Sequence, residues 1–306
     1  MVYELIIVGG GPGGVAAGVY AARKKIKTLL ITDSFGGQSL VSAEIQNWIG
    51  LRSVSGFELA KMLEEHLRAQ KEIEIIDGDL VVGARKTDPG FEIKTRNGKI
   101  FETKYVLVVS GGRRKKLGIL GEKEFDGRGV VYCSTCDAPI FKDKSVAVVG
   151  GGNAGLEAAI DLLPYASKIY ILEYLDVLGG DPVTHEEIKN SPKVQIITSA
   201  EIVEIFGREL VSGLKYKDRK SGNVKELKVE GVFVEIGLVP NSEIMKDLVG
   251  LNGKGEIVVD PKTQATSRDG IWAAGDVTDL PYRQNNISAG DAVKAVLNIY
   301  ERMRNR

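Results

Sequence analysis

The sequence predicts an α/β fold with two Rossmann-like, three-layer dinucleotide-binding units, and three observations carry that expectation. Its 306 residues exceed what a single hydrophobic core usually supports. Two loops fit G-x-G-x-x-G: Gly9-Gly-Gly11-Pro12-Gly-Gly14 and Gly150-Gly-Gly152-Asn153-Ala-Gly155. Each follows a short apolar run and opens a helical stretch, the setting that a phosphate-binding βαβ turn requires.

The first unit begins with Leu5 to Val8, an apolar run that reads as a buried parallel strand. A helical stretch from Val15 to Arg23 follows its loop, and a second strand runs to Thr32 and Asp33. The polar turn Ser34 to Gln38 comes next. A helix is expected from Phe57 to Lys71, with Leu59, Met62, Leu63 and Leu67 on one side. His66 then reads as a packed or surface helix residue. The second unit repeats the pattern with Val146 to Val149, a helix from Leu156 to Leu163, and a strand from Ile169 that ends in Glu173. Strand-like Glu256 to Val259 and Ile271 to Ala274 lead to a helix from about Ser288 to Met303. That helix carries Val293, Val296, Leu297 and Tyr300 at helical spacing.

The glycines have separate tasks. The first makes the tight turn, the second lets backbone approach a pyrophosphate, and the third lets helix and strand pack closely. The helix N-terminus adds free N–H groups and partial positive charge. The units differ at the end of the second strand. Twenty-three residues beyond the first glycine lies Thr32 in one unit and Glu173 in the other. A carboxylate there suits the two hydroxyls of an adenosine ribose. A 2′-phosphate about 4 Å away would be disfavoured by about 4 kcal/mol per unit charge at an effective dielectric near 20. No Arg or Lys stands between Glu173 and Glu186 to offset that repulsion, so NADH is favoured over NADPH.

The chain has two cysteines, Cys133 and Cys136, three positions apart. Random placement would give that spacing in roughly 1% of cases. Such a pair can close a disulfide, and its thiol pKa is commonly lowered, which points to a redox-active dithiol. Half a zinc site and two unrelated buried thiols are the alternatives. Zinc would need two more ligands, and the two histidines, His66 and His185, have no ligand spacing, so no metal is expected. Formal net charge is zero, which argues against a nucleic-acid partner. No apolar stretch reaches the roughly 18 residues of a membrane span. The chain opens directly on its apolar strand, leaving no room for a signal peptide, and low cysteine use fits a reducing interior. A cytoplasmic location is expected.

Cys133-Ser-Thr-Cys136-Asp137, with one dinucleotide loop before it and another directly after, resembles the low-molecular-weight thioredoxin reductases. The flavoprotein subunit of alkyl hydroperoxide reductase has the same arrangement. The resemblance spans essentially the whole chain. Gly36-Gly37-Gln38 and Gln46-Asn47-Trp48 resemble flavin-side segments, and Gly237 with Pro240-Asn241 resembles the return crossover. Ala274-Gly275-Asp276 with Arg283-Gln284 resembles the C-terminal flavin clamp. It implies FAD on the first loop and the nicotinamide cofactor on the second. It also implies an insertion, with 1–112 and 242–306 forming the FAD domain and 113–241 the NAD(P)H domain that carries the redox pair. Cys136 would face the flavin, Cys133 would attack the partner disulfide, and Asp137 would serve as acid/base. The inserted domain would rotate about hinges near Gly111-Gly112 and Val239-Pro240-Asn241.

Three features depart from the family pattern. NADPH-using members carry a His-Arg-Arg run and a further Arg where this chain has Glu173-Tyr174-Leu175 and Gly179. That absence is closer to the NADH-using hydroperoxide reductase branch, but the chain begins at its FAD loop, without that branch's N-terminal thioredoxin-like domains. Asp137-Ala138-Pro139 stands where the family commonly has Asp-Gly. A separate thioredoxin-like or glutaredoxin-like partner and a homodimer are expected from the resemblance. Arg113-Arg114-Lys115-Lys116 reads as a solvated turn, or as a run that steers an acidic partner or contacts pyrophosphate. The rival readings are a flavin dithiol oxidase and a ferredoxin-dependent reductase.

Overall fold

The computed structural model describes residues 2–42, 45–180 and 182–305; the side chains at positions 41, 135, 136 and 183 lie outside that description. The chain forms two compact units, 1–113 with 239–306, and 114–238.

The first unit is built on a seven-stranded sheet. Its core is parallel: Ile73–Asp77, Thr28–Phe35, Val2–Gly10 and Ile100–Val108 lie in that spatial order, and Ile271–Ala273 pairs on the far side of Ile100–Val108. Gly90–Thr95 and Val81–Thr87 extend the sheet antiparallel from Ile100–Val108. Side-chain alternation along Val2–Gly10 divides the apolar residues between two faces. Leu5 and Ile7 join one cluster with Val15 and Val19 of the helix Pro12–Arg23 and with Ala292, Val296 and Ile299 of the helix Asn285–Arg304. Ile6 and Val8 join a second cluster, with Ile93, Ile257 and Ile271, on the other face.

The second unit repeats the plan with a five-stranded parallel sheet ordered Val194–Ile197, Lys168–Leu172, Ser145–Val149, Gly231–Val234, Val130–Val131. A three-stranded antiparallel sheet, Ala200–Gly207, Val211–Asp218 and Val224–Leu227, accompanies it. In both units the glycine loop leaves the strand where the order reverses. Such a switch point opens a crevice at the carboxyl ends of the strands.

Local chemistry moved several boundaries. Both loop helices start earlier than the apolar periodicity indicated, at Pro12 and at Asn153. Proline is preorganised for a first helical position, where its missing N–H costs nothing. The helix after Ser55 spans Gly56–Arg68, fixed at its start by a capping box in which Glu58 N–H donates to Ser55 Oγ. Residues 256–259 make isolated bridges instead of the expected strand: Ile257 pairs with Leu251 and Thr278, and Val259 with Thr266. A different segment faces each of these residues, so no continuous ladder forms.

The first unit is interrupted in sequence between Arg113 and Val239, and its two ends are held together. Ser110 Oγ donates to Asn241 O at 2.7 Å, Asn241 Nδ2 donates to Ser110 O at 2.9 Å, and Asn241 N–H donates to Gly111 O at 2.9 Å.

Candidate dinucleotide loops and redox pair

In the first unit, Gly9 has φ +119° and Gly150 of the second has φ +115°, a region open chiefly to glycine. A Cβ at Gly9 would strike Val109 O, and one at Gly14 would strike Gly9 O. The second unit matches: a Cβ at Gly150 would strike Glu235 O, and one at Gly155 would strike Gly150 O. The middle glycines are the opposite case. A Cβ at Gly11 would come no closer than 3.9 Å to another atom, at Gly37 Cα, and one at Gly152 would meet nothing within 4 Å. Each loop is therefore closed against the protein at its first and third glycines and open at its second. That is the cradle a pyrophosphate needs, and it fits a dinucleotide in each unit.

Around the first loop, Gly36 N–H donates to Gly10 O at 3.0 Å and brings Gly37 and the exposed Gln38 to the loop. Thr32 is buried, its hydroxyl donates to Ser34 O at 2.6 Å, and it fills the space beside Gly10 that a Cβ would need. At the position counted from the first glycine, Thr32 therefore packs against the loop backbone. Asp33 is exposed and pairs with Arg96 at 2.5 Å. The C-terminal segment reaches the same loop through Ser288, whose hydroxyl occupies the space a Cβ would take on Gly13 or Gly275. Gln284 Oε1 accepts from Asn47 Nδ2 at 3.1 Å, and Asn286 Nδ2 donates to Asn47 O at 2.7 Å. Asp276 lies in the short turn Gly275–Val277. Arg283 is ion-paired with the buried Glu256, which places its guanidinium in a protein contact.

Around the second loop, Glu173 Oε2 accepts the Gly151 N–H at 2.5 Å and Oε1 accepts the Leu175 N–H at 2.8 Å. His185 Nε2 lies 2.6 Å from Gly179 O, and His66 is exposed on its helix. Gly237, with φ +106°, lies where the chain leaves this unit, and its carbonyl accepts from Lys115 N–H at 3.0 Å. Among the described residues, no group of three His, Cys, Asp or Glu is arranged to hold a metal.

Cys133 is disulfide-bonded and stands at the N-cap of the short helix Ser134–Asp137; the Cys136 side chain lies outside the described residues. Asp137 N–H donates to Cys133 O at 3.1 Å, so the turn folds back on the first cysteine. Burial pushes the Asp137 carboxyl up to about 6. Ser134 Oγ donates to Asp161 Oδ2 at 2.8 Å. Burial likewise pushes Glu235 up to about 7; Arg114, 3.4 Å away, and the Ser134 N–H oppose that, while Asp161 and Glu157 add to it. Neither Glu235 nor Asp161 was apparent from sequence pattern, because each meets the redox turn only in the fold. The basic run is largely engaged by neighbouring carboxylates: Arg113 on Glu243 at 2.7 Å, Arg114 on Glu235, and Lys116 on Asp126 at 2.7 Å.

Two Rossmann units, one interrupting the other in sequence, with a disulfide in the inner one, define a nucleotide-dependent disulfide oxidoreductase class. Residues 3–295 match the family model for pyridine nucleotide-disulphide oxidoreductases, and the chain belongs to that family. It is 42% identical to a Pseudomonas putida alkyl hydroperoxide reductase subunit, over 98% of this chain and 58% of that protein. It is 40% identical to a Bacillus subtilis NADH dehydrogenase, over 98% of this chain and 58% of that protein. The chain thus spans little more than half the length of these curated relatives. A solved structure of T. acidophilum thioredoxin reductase is 37% identical, with a TM-score of 0.75 and 99% of both chains covered. Thioredoxin reductase from Streptococcus pyogenes has a TM-score of 0.84 at 31% identity, covering 100% of this chain and 99% of its own. Within that family the solved structures it resembles are thioredoxin reductases, and the family implies FAD and a nicotinamide dinucleotide.

Proposed function

We propose that this protein is a disulfide reductase that draws electrons from NADH and delivers them, through the Cys133–Cys136 pair, to a separate thioredoxin-like or glutaredoxin-like protein. The observation that carries the proposal is the disulfide at Cys133 beside Asp137, a buried carboxyl that still holds its proton near pH 6. The first unit would hold FAD at Gly9, Gly11, Pro12 and Gly14, with Gly37, Gln38, Asn47, Gly275, Asp276 and Gln284 around it. The second would hold the nicotinamide dinucleotide at Gly150, Gly152, Asn153 and Gly155. Bound FAD would supply the relay of two electrons from a nicotinamide hydride to the disulfide.

The chain's own residues supply orientation and protons. Open space at Gly11 and Gly152 admits phosphates, and the helix starts beside them carry partial positive charge. Glu173, already anchored by two amides, would accept ribose hydroxyl hydrogens through its remaining lone pairs. Reducing a disulfide to two thiols takes two electrons and two protons: Asp137 would give one to the departing sulfur, solvent would supply the other, and Asp137 would recover a proton as Cys133 ionises. Cys133, as a thiolate, would then attack the partner disulfide and form the mixed disulfide that the second cysteine resolves.

The test is anaerobic stopped-flow reduction of the purified flavoprotein by NADH or NADPH, followed by addition of a thioredoxin disulfide. Fast flavin bleaching by NADH and turnover of the thioredoxin are expected. Bleaching by neither nucleotide would sink the proposal in favour of a ferredoxin-type donor or an oxidase.

A further inference from the structure

The adenosine end of the second unit contains a cation that lies far from Glu173 in sequence. Arg219 stands just after the strand Val211–Asp218, and it folds against Tyr174, the neighbour of Glu173. Its guanidinium carbon lies 3.9 Å from the Tyr174 ring centroid, and Nη1–H donates to Tyr174 O at 2.8 Å. The backbone fixes it further: Arg219 N–H donates to Ser199 O at 2.8 Å, and Ser199 N–H donates to Leu175 O at 2.7 Å. Ala200 N–H closes the set on Glu173 O at 2.8 Å. Ser199 is buried and holds φ +54°, a conformation that costs energy for a serine and persists only where its surroundings impose it. Glu173–Leu175, Ser199–Ala200 and Arg219 therefore form one laced platform.

Among the described residues, no carboxylate pairs with Arg219; the adjacent Asp218 binds Lys225 at 2.9 Å and accepts the Lys220 and Ser221 amides. One guanidinium N–H is committed to Tyr174 O, and four others remain available as donors in a fixed plane. We infer that Arg219 is a specificity-determining residue of the nucleotide site, a cation beside Glu173 that lets the site hold a 2′-phosphorylated adenosine ribose. The inference rests on the second loop being a dinucleotide site. It goes beyond that reading by opposing the selection that Glu173 alone would impose. Glu173 repels the phosphate and Arg219 attracts it, so the site prefers NADH by a small factor and still accepts NADPH. The stacked geometry makes Lys an incomplete substitute, because an ammonium cannot lie flat on Tyr174 and donate in the same plane.

The experiment is calorimetric titration of the oxidised holoenzyme with ADP-ribose and with 2′-phospho-ADP-ribose, neither of which can reduce the flavin. The wild type is expected to bind the two within about tenfold of each other. Arg219→Gln should weaken the 2′-phosphorylated ligand about five- to tenfold while changing ADP-ribose no more than about twofold, and should flatten the salt dependence of the former. Arg219→Lys should fall between. Equal weakening of both ligands, or of neither, overturns the inference while leaving the dinucleotide site in place. If the wild type bound neither ligand, the dinucleotide reading would fail and the Arg219 inference with it. Unchanged thermal unfolding of the variants would exclude a folding defect as the cause.

Discussion

The Glu173 carboxylate accepts the amide N–H of Gly151 at 2.5 Å, which ties the end of one strand to the middle of the phosphate loop. The residue that would read the ribose is thus positioned by the same loop that would bind the pyrophosphate. In Glu173→Gln the charge is lost, while one amide oxygen can keep a backbone bond. The ratio of kcat/KM for NADPH to that for NADH should rise by about tenfold or more in steady-state assays, since even half of the repulsion of about 4 kcal/mol at an effective dielectric near 20 exceeds the roughly 1.4 kcal/mol of a tenfold change. An unchanged ratio would show that Glu173 does not face the ribose.

The open and closed glycines separate binding from folding. Gly152→Ala adds a methyl group where the protein has nothing within 4 Å, at an ordinary φ of −84°. It should leave thermal unfolding within about 1 °C while weakening nicotinamide-nucleotide affinity about tenfold or more. Gly155→Ala drives its methyl into Gly150 O and should instead lower stability by about 2–3 kcal/mol. Gly11→Ala should behave like Gly152→Ala, with flavin retention as the readout in place of nicotinamide binding.

Asp137 holds its proton up to about pH 6 because burial penalises the charged carboxylate. The proton-requiring step should therefore slow as pH rises through about 6. Asp137→Asn should lower turnover with a protein disulfide by about 100-fold and remove that inflection. Hydride transfer from NADH to the flavin, followed by stopped flow, should change little. A variant that retained the inflection would assign it to another group.

Glu235 gives a stability signature of definite sign. Its folded-state pKa of about 7 lies above the ordinary carboxyl value, so the folded protein binds the proton more tightly than the unfolded chain. That contribution is fully present below about pH 4.5 and is lost as pH rises through about 7. Glu235→Gln should remove the slope. Relative to wild type at matched pH, the variant should gain up to about 3 kcal/mol at pH 8 and far less at pH 5 in denaturant titrations. Parallel pH profiles for both proteins would contradict the burial argument.

The parts that could be read from sequence are those in which one short segment contains the whole chemistry. Each glycine loop carries its turn, its cradle and its helix start within about six residues, and the Cys133–Cys136 turn is similarly local. What sequence could not reveal depends on tertiary neighbours. No cation follows Glu173 closely along the chain, yet Arg219 arrives from another sheet against Tyr174, the next residue. Thr32 stands at the position counted from the first glycine, and only the fold shows how closely Gly10 approaches it. Arg283, placed by resemblance in the flavin clamp, is ion-paired with Glu256 across the fold. Residues 256–259 are apolar enough for a strand, but the strand partners are single residues from different segments.

Ser110 and Asn241 bond to each other twice, side chain to backbone in both directions. Where the sequence is broken by a long excursion, the first unit is continuous in space, like a sentence that resumes after a parenthesis. The excursion must leave and return at one point, so its length is almost immaterial to the host: doubling a closed loop costs only about 0.6 kcal/mol. An ancestral host could have acquired, lost or exchanged such an inner module without rebuilding its own core, provided the newcomer brought its ends close together. The pair marks a splice point, and grafting experiments on this scaffold should be cut there.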